Sequence, residues 1–529
     1  MQSLFPATRQ LLPEIFQRRL DAAKTSEAAL ALLDAGVQDA ELLPYLPDLA
    51  RLEQAAFTCA RAAAPPHETT AEIALNPTLS LVPSRWQGLS DLLNGGGGDE
   101  QAEPSLAAET VLIWKDPLTA EVRVEPASTN TLLALKIAAE GLSAKEVALD
   151  NGLRPLDLQR LLRREVRRGS LVAPASRLVR DPRIVSPDHS WAWPRYARAP
   201  IFTLQWHVTQ ACDLHCRHCY DRSQRGHMPW TDAIAVLDSL DYFCRTHHVQ
   251  GQITFTGGNP LLHPHFTELY REASARGFIL AILGNPCQRK ILEDLQAIQP
   301  LGGYQISLEG LEEHNDWVRG PGHFQRSLRF LSLLQELEIP SQVMLTLTDR
   351  NMDQVLPLAR DLHGKVDRFT YNRLSAVGEG ASLQLPRPEA YAAFMTEYLR
   401  AREEMPFLGI KDNVLNSVCW DENQTMTGGC TGFGCGAAFN FLSLLADGEV
   451  HACRKFPSRI GHIAADDLTT IYHSARAKQY RTGPAECLDC RVRPVCGGCL
   501  AVSAAAGVDI TRDRDPFCLN GPRQEGKEE

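Results

Sequence analysis

The residues best placed to do chemistry form one short loop, Cys212-Asp-Leu-His-Cys216-Arg-His-Cys219-Tyr220, with the spacing C-x3-C-x2-C. Three thiolates so spaced can hold three corners of an iron–sulfur cubane and leave its fourth iron open. Zinc is the other reading, with His218 as fourth ligand, although paired C-x2-C knuckles are the commoner zinc pattern. A second concentration of cysteine lies downstream. Cys430-x4-Cys435 is followed by Cys435-x12-Gly448-x4-Cys453, by Cys487-x2-Cys490-x5-Cys496-x2-Cys499, and last by Cys518. Of 15 cysteines, 11 belong to these groups. In a reducing compartment such spacings point to metal rather than to disulfides. Cys59 and Cys244 lie on helical stretches and read as small buried hydrophobes. Cys287 has no partner at ligand spacing, and Cys419 stands ahead of the downstream groups as a candidate spare ligand or reactive thiol.

Something must hold these cysteines in place. From residue 201, six short apolar runs (FTLQWHV, QITFT, FILAIL, YQISL, QVMLTL and RFTYN) alternate with helical stretches such as DAIAVLDSLDYF and HFQRSLRFLSLLQELE. Strand–helix repetition implies parallel strands joined by right-handed crossovers. Six units make an α/β fold, a partial (β/α)6 TIM-like barrel over 200–404, with function on the loops after the strands. The first cysteine loop follows the first strand. Residues 1–94 read as a helical region. The run Asn94-Gly-Gly-Gly-Gly-Asp99-Glu100 reads as a linker. Over 105–178, two hairpin strands (ETVLIWKD, AEVRVEP) and three helices suggest a small winged-helix-like domain. From 405 to 529 apolar periodicity fades, and metal clusters would supply stability that the core lacks.

Composition narrows the partners. The chain of 529 residues is 44% hydrophobic and 22% charged, enough apolar content for full cores. A net charge of −10 argues against a nucleic-acid partner. There is no apolar run of the roughly 18 residues a spanning helix needs, and the N-terminus lacks secretory-signal features. The expectation is a cytoplasmic protein with no nucleic-acid and no membrane partner.

The loop CDLHCRHCY resembles the signature of the radical S-adenosylmethionine (SAM) superfamily, and the alternating region resembles that family's partial barrel. Further motifs occur in the same order. Gly257-Gly258-Asn259-Pro260 resembles the GGEP motif that receives the SAM amino group, with Asn259 in the acidic position. Ser307-Leu308-Glu309-Gly310 resembles SLDG, and His314-Asn315 to Arg319 resembles HDxxR. The resemblance implies that Cys212, Cys216 and Cys219 bind a catalytic [4Fe–4S] cluster. It implies that Gly257, Gly258, Asn259, Pro260, Ser307 and Arg319 bind SAM together with His218 and Tyr220 of the loop. It also points to Asn285 near the ribose and Gly378 beside the adenosine.

The downstream cysteines resemble the SPASM domain of radical SAM enzymes that modify peptides and proteins. The one departure is two residues, not three, before Cys499. Carried over by position, Cys430, Cys435, Cys453 and Cys499 would hold one auxiliary [4Fe–4S] cluster, and Cys487, Cys490, Cys496 and Cys518 another. With the first, that makes three. Two four-cysteine zinc sites are the competing reading.

The hairpin and helices of 105–178 resemble peptide-recognition domains of the PqqD type, which bind a leader peptide as an added strand. The expected function is a maturase that cleaves SAM reductively to a 5′-deoxyadenosyl radical. It would modify a ribosomally made precursor peptide, at cysteine by thio(seleno)oxazole or thioether formation, drawing electrons from a ferredoxin or flavodoxin. Arg454 after Cys453, where formylglycine-forming relatives carry an aspartate base, argues against that activity. A maturase of a folded protein and a non-catalytic iron–sulfur or zinc redox sensor are the alternatives.

Overall fold

The computed structural model describes residues 4–39, 41–65, 70–94, 103–188, 190–421 and 425–520. The glycine run read as a linker lies outside them. The chain forms two compact units, Met1–Ala175 and Ser176–Glu529.

The first unit is built on strands β1 (Ala74–Leu75), β2 (Ser80–Gln87), β3 (Ser105–Lys115), β4 (Val122–Pro126) and β5 (Leu171–Val172). β2, β3 and β4 form an antiparallel sheet, and β1 pairs with β5. Alternation along β3 explains its continuous apolar run. Val111 and Ile113 pack with Leu46, Leu49 and Leu52 of helix Leu46–Arg61. Leu112 and Trp114 pack on the opposite face with Ala134, Leu135, Leu158 and Leu162 of later helices. Both faces of the sheet are thus covered. β2 corrects the helical reading of residues 1–94. It carries Pro83 at the edge of the sheet, where a missing N–H is tolerated.

In the second unit, β6 (Ile201–Thr209), β7 (Gln250–Gly257), β8 (Ile279–Leu283), β9 (Gly303–Ser307), β10 (Ser341–Leu347) and β11 (Arg368–Arg373) run parallel in sequence order. On β6, Phe202, Leu204, Trp206 and Val208 are buried and join the core, while Thr203 and Gln205 line the opposite side. The next helix, Trp230–Thr246, contributes Val236, Leu240 and Phe243 at helical spacing. Phe202 and Phe243 meet with ring centroids 4.3 Å apart. Such aromatic side chains each contribute about 1.5–3 kcal/mol by burial.

The cysteine-rich tail continues this sheet. β12 (Phe441–Leu444) runs parallel beside β6, and β13 (Glu449–His451) and β14 (Arg459–His462) extend it antiparallel. The tail therefore has a hydrophobic core after all, since Leu442, Leu444, Val450 and Ile460 merge into that of the barrel. Among the described residues no helix is long and apolar enough to cross a membrane.

Candidate active site

The C-terminal ends of the parallel strands converge on one open cavity of about 610 Å³. β6 delivers the loop with Cys212, Cys216, His218, Cys219 and Tyr220, and β7 ends in Gly257 and Gly258. Asn285 follows β8 and Ser307 ends β9, while Thr346 and Arg373 come from β10 and β11. All of these line the cavity, as does Arg319. Pro260 and Asn259 are buried and are not part of the lining.

The glycine pair fixes where the cysteine loop starts. The Gly258 N–H donates to the Thr209 carbonyl at 3.0 Å, and the Asn259 N–H to the Ala211 carbonyl at 2.7 Å. A Cβ on Gly257 would stand 2.1 Å from Thr209 O, and one on Gly258 would stand 2.2 Å from Ala211 O. Gly257 also has φ +136°, a conformation open to glycine. From the other side, Glu379 N–H donates to Cys219 O at 2.9 Å. Gly378 packs against the carbonyls of Tyr220 and Cys219, close to the loop backbone.

Three side chains lock beneath the loop. Glu309 accepts from Arg319 Nη2 at 2.6 Å and lies 3.0 Å from His218 Nε2. Its other oxygen accepts from Thr346 N–H at 2.8 Å. Burial pushes this carboxyl upward, but His218 and Arg319 outweigh it and hold the group well below the usual carboxylate range. Arg319 Nη1 also reaches Cys216 Sγ at 3.7 Å. His218 is therefore engaged with Glu309 and Arg319. Tyr220 is held by His207, 3.3 Å from its hydroxyl, and burial pushes its pKa up to about 12. Arg454, donating to Thr256 Oγ1 at 3.0 Å, lies over the Tyr220 ring.

Asn259 does not turn its carbonyl to the cavity. Its Nδ2 donates to Asp213 Oδ1 at 3.0 Å, and its Oδ1 accepts from Leu261 N–H at 3.4 Å. Asn285 Nδ2 donates to the same Asp213 oxygen at 2.6 Å and lies 3.8 Å from Cys212 Sγ.

Among the described residues, no three His, Cys, Asp or Glu side chains close around one point tightly enough to hold a single metal ion. The cysteines form looser groups. Burial raises the thiols of Cys216 and Cys219, and Cys212 adds to this in both. Downstream, Cys435 feels Cys499, and Cys453 feels Cys499 and Cys430. Cys487, Cys490, Cys496 and Cys518 line one small cavity of their own. Burial pushes Cys453 to about 12 and Cys487 to about 11. The Cys435 N–H donates to Cys496 O at 2.9 Å, tying the two groups together. Cys419 is fully buried in the core and lines neither cavity. Cys59 and Cys244 are buried as well.

The motifs quoted from the sequence did not disclose Glu309, Asp213 or Arg373 as organising groups. Glu309 stands inside Ser307-Leu308-Glu309-Gly310, and a charge at a strand end inside an apolar context is the signal it leaves.

The likeness to known proteins agrees with this geometry. Residues 206–362 match the radical SAM superfamily, and residues 435–499 match SPASM, an iron–sulfur cluster-binding domain. The AdoMet-dependent heme synthase of Methanosarcina barkeri is 26% identical over 60% of this chain and 96% of its own length. The sporulation killing factor maturation protein SkfB of Bacillus subtilis is 26% identical over 54% of this chain and 67% of its own. The mycofactocin maturase MftC of Mycobacterium ulcerans is 26% identical over 61% of this chain and 89% of its own. These domains imply SAM and [4Fe–4S] clusters as cofactors, and the thiols grouped on the two cavities, Cys212, Cys216 and Cys219 on one and Cys487, Cys490, Cys496 and Cys518 on the other, are donor sets that fit iron–sulfur ligation. The chain carries a radical SAM domain and, C-terminal to it, a SPASM iron–sulfur cluster-binding domain.

Proposed function

We propose that this enzyme is a maturase of a ribosomally made precursor peptide. The observation that carries the reading is the open cavity, with the C-x3-C-x2-C thiols in one wall, in a chain related to SkfB and MftC. In this reading Cys212, Cys216 and Cys219 hold the SAM-binding cluster. Cys430, Cys435, Cys453 and Cys499 hold one auxiliary cluster, and Cys487, Cys490, Cys496 and Cys518 the other, three in all. When bound and reduced, the first cluster supplies the electron that cleaves SAM to methionine and a 5′-deoxyadenosyl radical.

The protein groups then have defined tasks. Arg319, its guanidinium held by Glu309, would receive the SAM carboxylate. Ser307 offers a second donor from the end of β9. Gly257 and Gly258 leave room for a ligand against the backbone, and Tyr220 and Arg454 close one wall. Four cysteines for each auxiliary cluster would supply a full set of ligands, and the chemistry such clusters would bring is electron transfer or structural support.

The domain read over 105–178 would bind the leader peptide, on a sheet that its β3 and β4 share with β2 from residues 80–87. In the β2–β3–β4 sheet the outer edges of β2 and β4 have no strand partner among the described residues, and either edge suits an added strand. A ferredoxin or flavodoxin would donate electrons, and cysteine would be the modified residue, by thio(seleno)oxazole or thioether formation. The test is incubation of reconstituted enzyme, SAM and reductant with the cysteine-bearing peptide encoded beside its gene. Mass spectrometry should show a change confined to the peptide core. An unchanged peptide, despite SAM cleavage, would remove the reading.

The heme synthase relatives favour a second reading, modification of a tetrapyrrole. A small-molecule substrate gives the outer edges of the β2–β3–β4 sheet no task. A mass change in an added tetrapyrrole, and none in the peptide, would select it.

A further inference from the structure

Asp213 sits next to Cys212 in the cysteine loop, and the structure surrounds it with amides. Asn259, from the turn after β7, and Asn285, from the turn after β8, both point Nδ2 at Asp213 Oδ1, at 3.0 and 2.6 Å. A carboxylate accepts only, so both amides must present their N–H groups here. Asn259 thus gives its donor to Asp213 and its carbonyl oxygen to Leu261 N–H. Neither amide side chain supplies negative charge to the site. Asp213 does, and it is anchored on two elements besides its own.

The anchoring is one-sided. Among the described residues Asp213 Oδ2 accepts no hydrogen bond, and the residue is exposed. Asp213 itself is not among the residues that line the cavity, but its chain neighbours Cys212 and Leu214 and its hydrogen-bond partner Asn285 are. Across the same loop, Arg319 reaches Cys216 Sγ at 3.7 Å. The loop therefore carries a negative pole beside Cys212 and a positive pole beside Cys216. The amino-acid end of SAM is a zwitterion with its two charges on one carbon. A ligand of that kind, placed over the three thiols, is oriented by such a pair of poles.

We propose that Asp213 is the anionic contact of the SAM amino group in this enzyme, with Asn259 and Asn285 as positioning residues that hold its carboxylate. This rests on the assignment of Cys212, Cys216 and Cys219 as ligands of the SAM-binding cluster. A charge-assisted hydrogen bond is roughly twice as strong as a neutral one, so moving the acid from Asn259 to Asp213 keeps the contact strong.

The test is equilibrium binding of SAM to the anaerobically reconstituted full chain, without turnover. Iron content and cluster absorbance are recorded first. If the ligand assignment fails, the wild type already lacks the cluster or lacks SAM binding that depends on Cys212, Cys216 and Cys219. Asp213→Asn keeps size and shape and removes the charge. It should retain the cluster and bind SAM at least tenfold more weakly. Asn259→Glu in the Asp213→Asn background returns a carboxylate to the same place from the other element. It should recover most of the lost affinity, which a merely structural role for Asp213 would not allow. SAM affinity of Asp213→Asn within twofold of wild type overturns the proposal. So does a double variant that binds no more tightly than Asp213→Asn.

Discussion

Arg373, at the end of β11, and Asp515, in the cysteine-rich tail, share two hydrogen bonds of 2.8 and 2.7 Å in a fully buried site. Asp412 takes the other side of the guanidinium at 2.5 and 3.1 Å, and Tyr391 and Phe517 lie over it. Asp515 also accepts from the Cys499 N–H at 2.8 Å. One residue of the barrel wall thus connects to the backbone of a cysteine in the tail. Arg373→Met would leave two carboxylates buried without their cation. Removing one member of a buried ionic group costs about 3–5 kcal/mol. Chemical unfolding of the reconstituted protein should show a loss of that size, and a change below about 1 kcal/mol would be inconsistent with the arrangement.

Gly258→Ala tests the clamp on the cysteine loop. The added Cβ meets backbone atoms, Ala211 O at 2.2 Å and Gln210 O at 2.6 Å, so a side-chain adjustment does not relieve it. The loop must move away from the end of β7. SAM affinity and 5′-deoxyadenosine formation should both fall by at least tenfold, while circular dichroism shows the helices retained. Near-normal SAM affinity would show that the loop position is not set here.

His323 gives the fold a pH dependence of defined sign. It is buried at the start of helix His323–Glu336 and lies 3.2 Å from the Asn315 Nδ2 donor, which requires an unprotonated Nδ1. Burial, and then Arg319, lower its pKa to about 4. An unfolded histidine titrates near 6.5, so on acidification the unfolded state takes up the proton first. Stability from this group is present above pH 6.5 and is lost as pH falls toward 4. The shift corresponds to roughly 3 kcal/mol at 1.36 kcal/mol per unit. Unfolding measured between pH 7 and 4 should be less pH-dependent in His323→Gln than in the wild type. An identical slope in the two proteins would contradict the assignment.

Much of this was legible in the sequence because its signals are local. Each of the six barrel strands announces itself as an apolar run between helices, and the cysteine groups are defined by spacing. What was not legible depends on contacts between distant segments. β12 is a four-residue strand buried throughout, with no alternation, and it gains its place only by pairing with β6. β2 carries Pro83 and Arg85 in an edge position, where β propensity is weak evidence. The Arg373–Asp412–Asp515 group comes from three separated stretches, none of which shows that its charges are buried. Asn259 could be seen as a departure from an acid, but not that its amide nitrogen turns to Asp213.

In the proposed reading, Cys212, Cys216 and Cys219 together support radical cleavage of SAM. The direct measurement is 5′-deoxyadenosine formed by anaerobically reconstituted enzyme with dithionite and SAM. The wild type should produce it, and the variant with all three cysteines changed to Ala should produce none while keeping the iron bound downstream. Product formation by that variant at the wild-type rate would contradict the account.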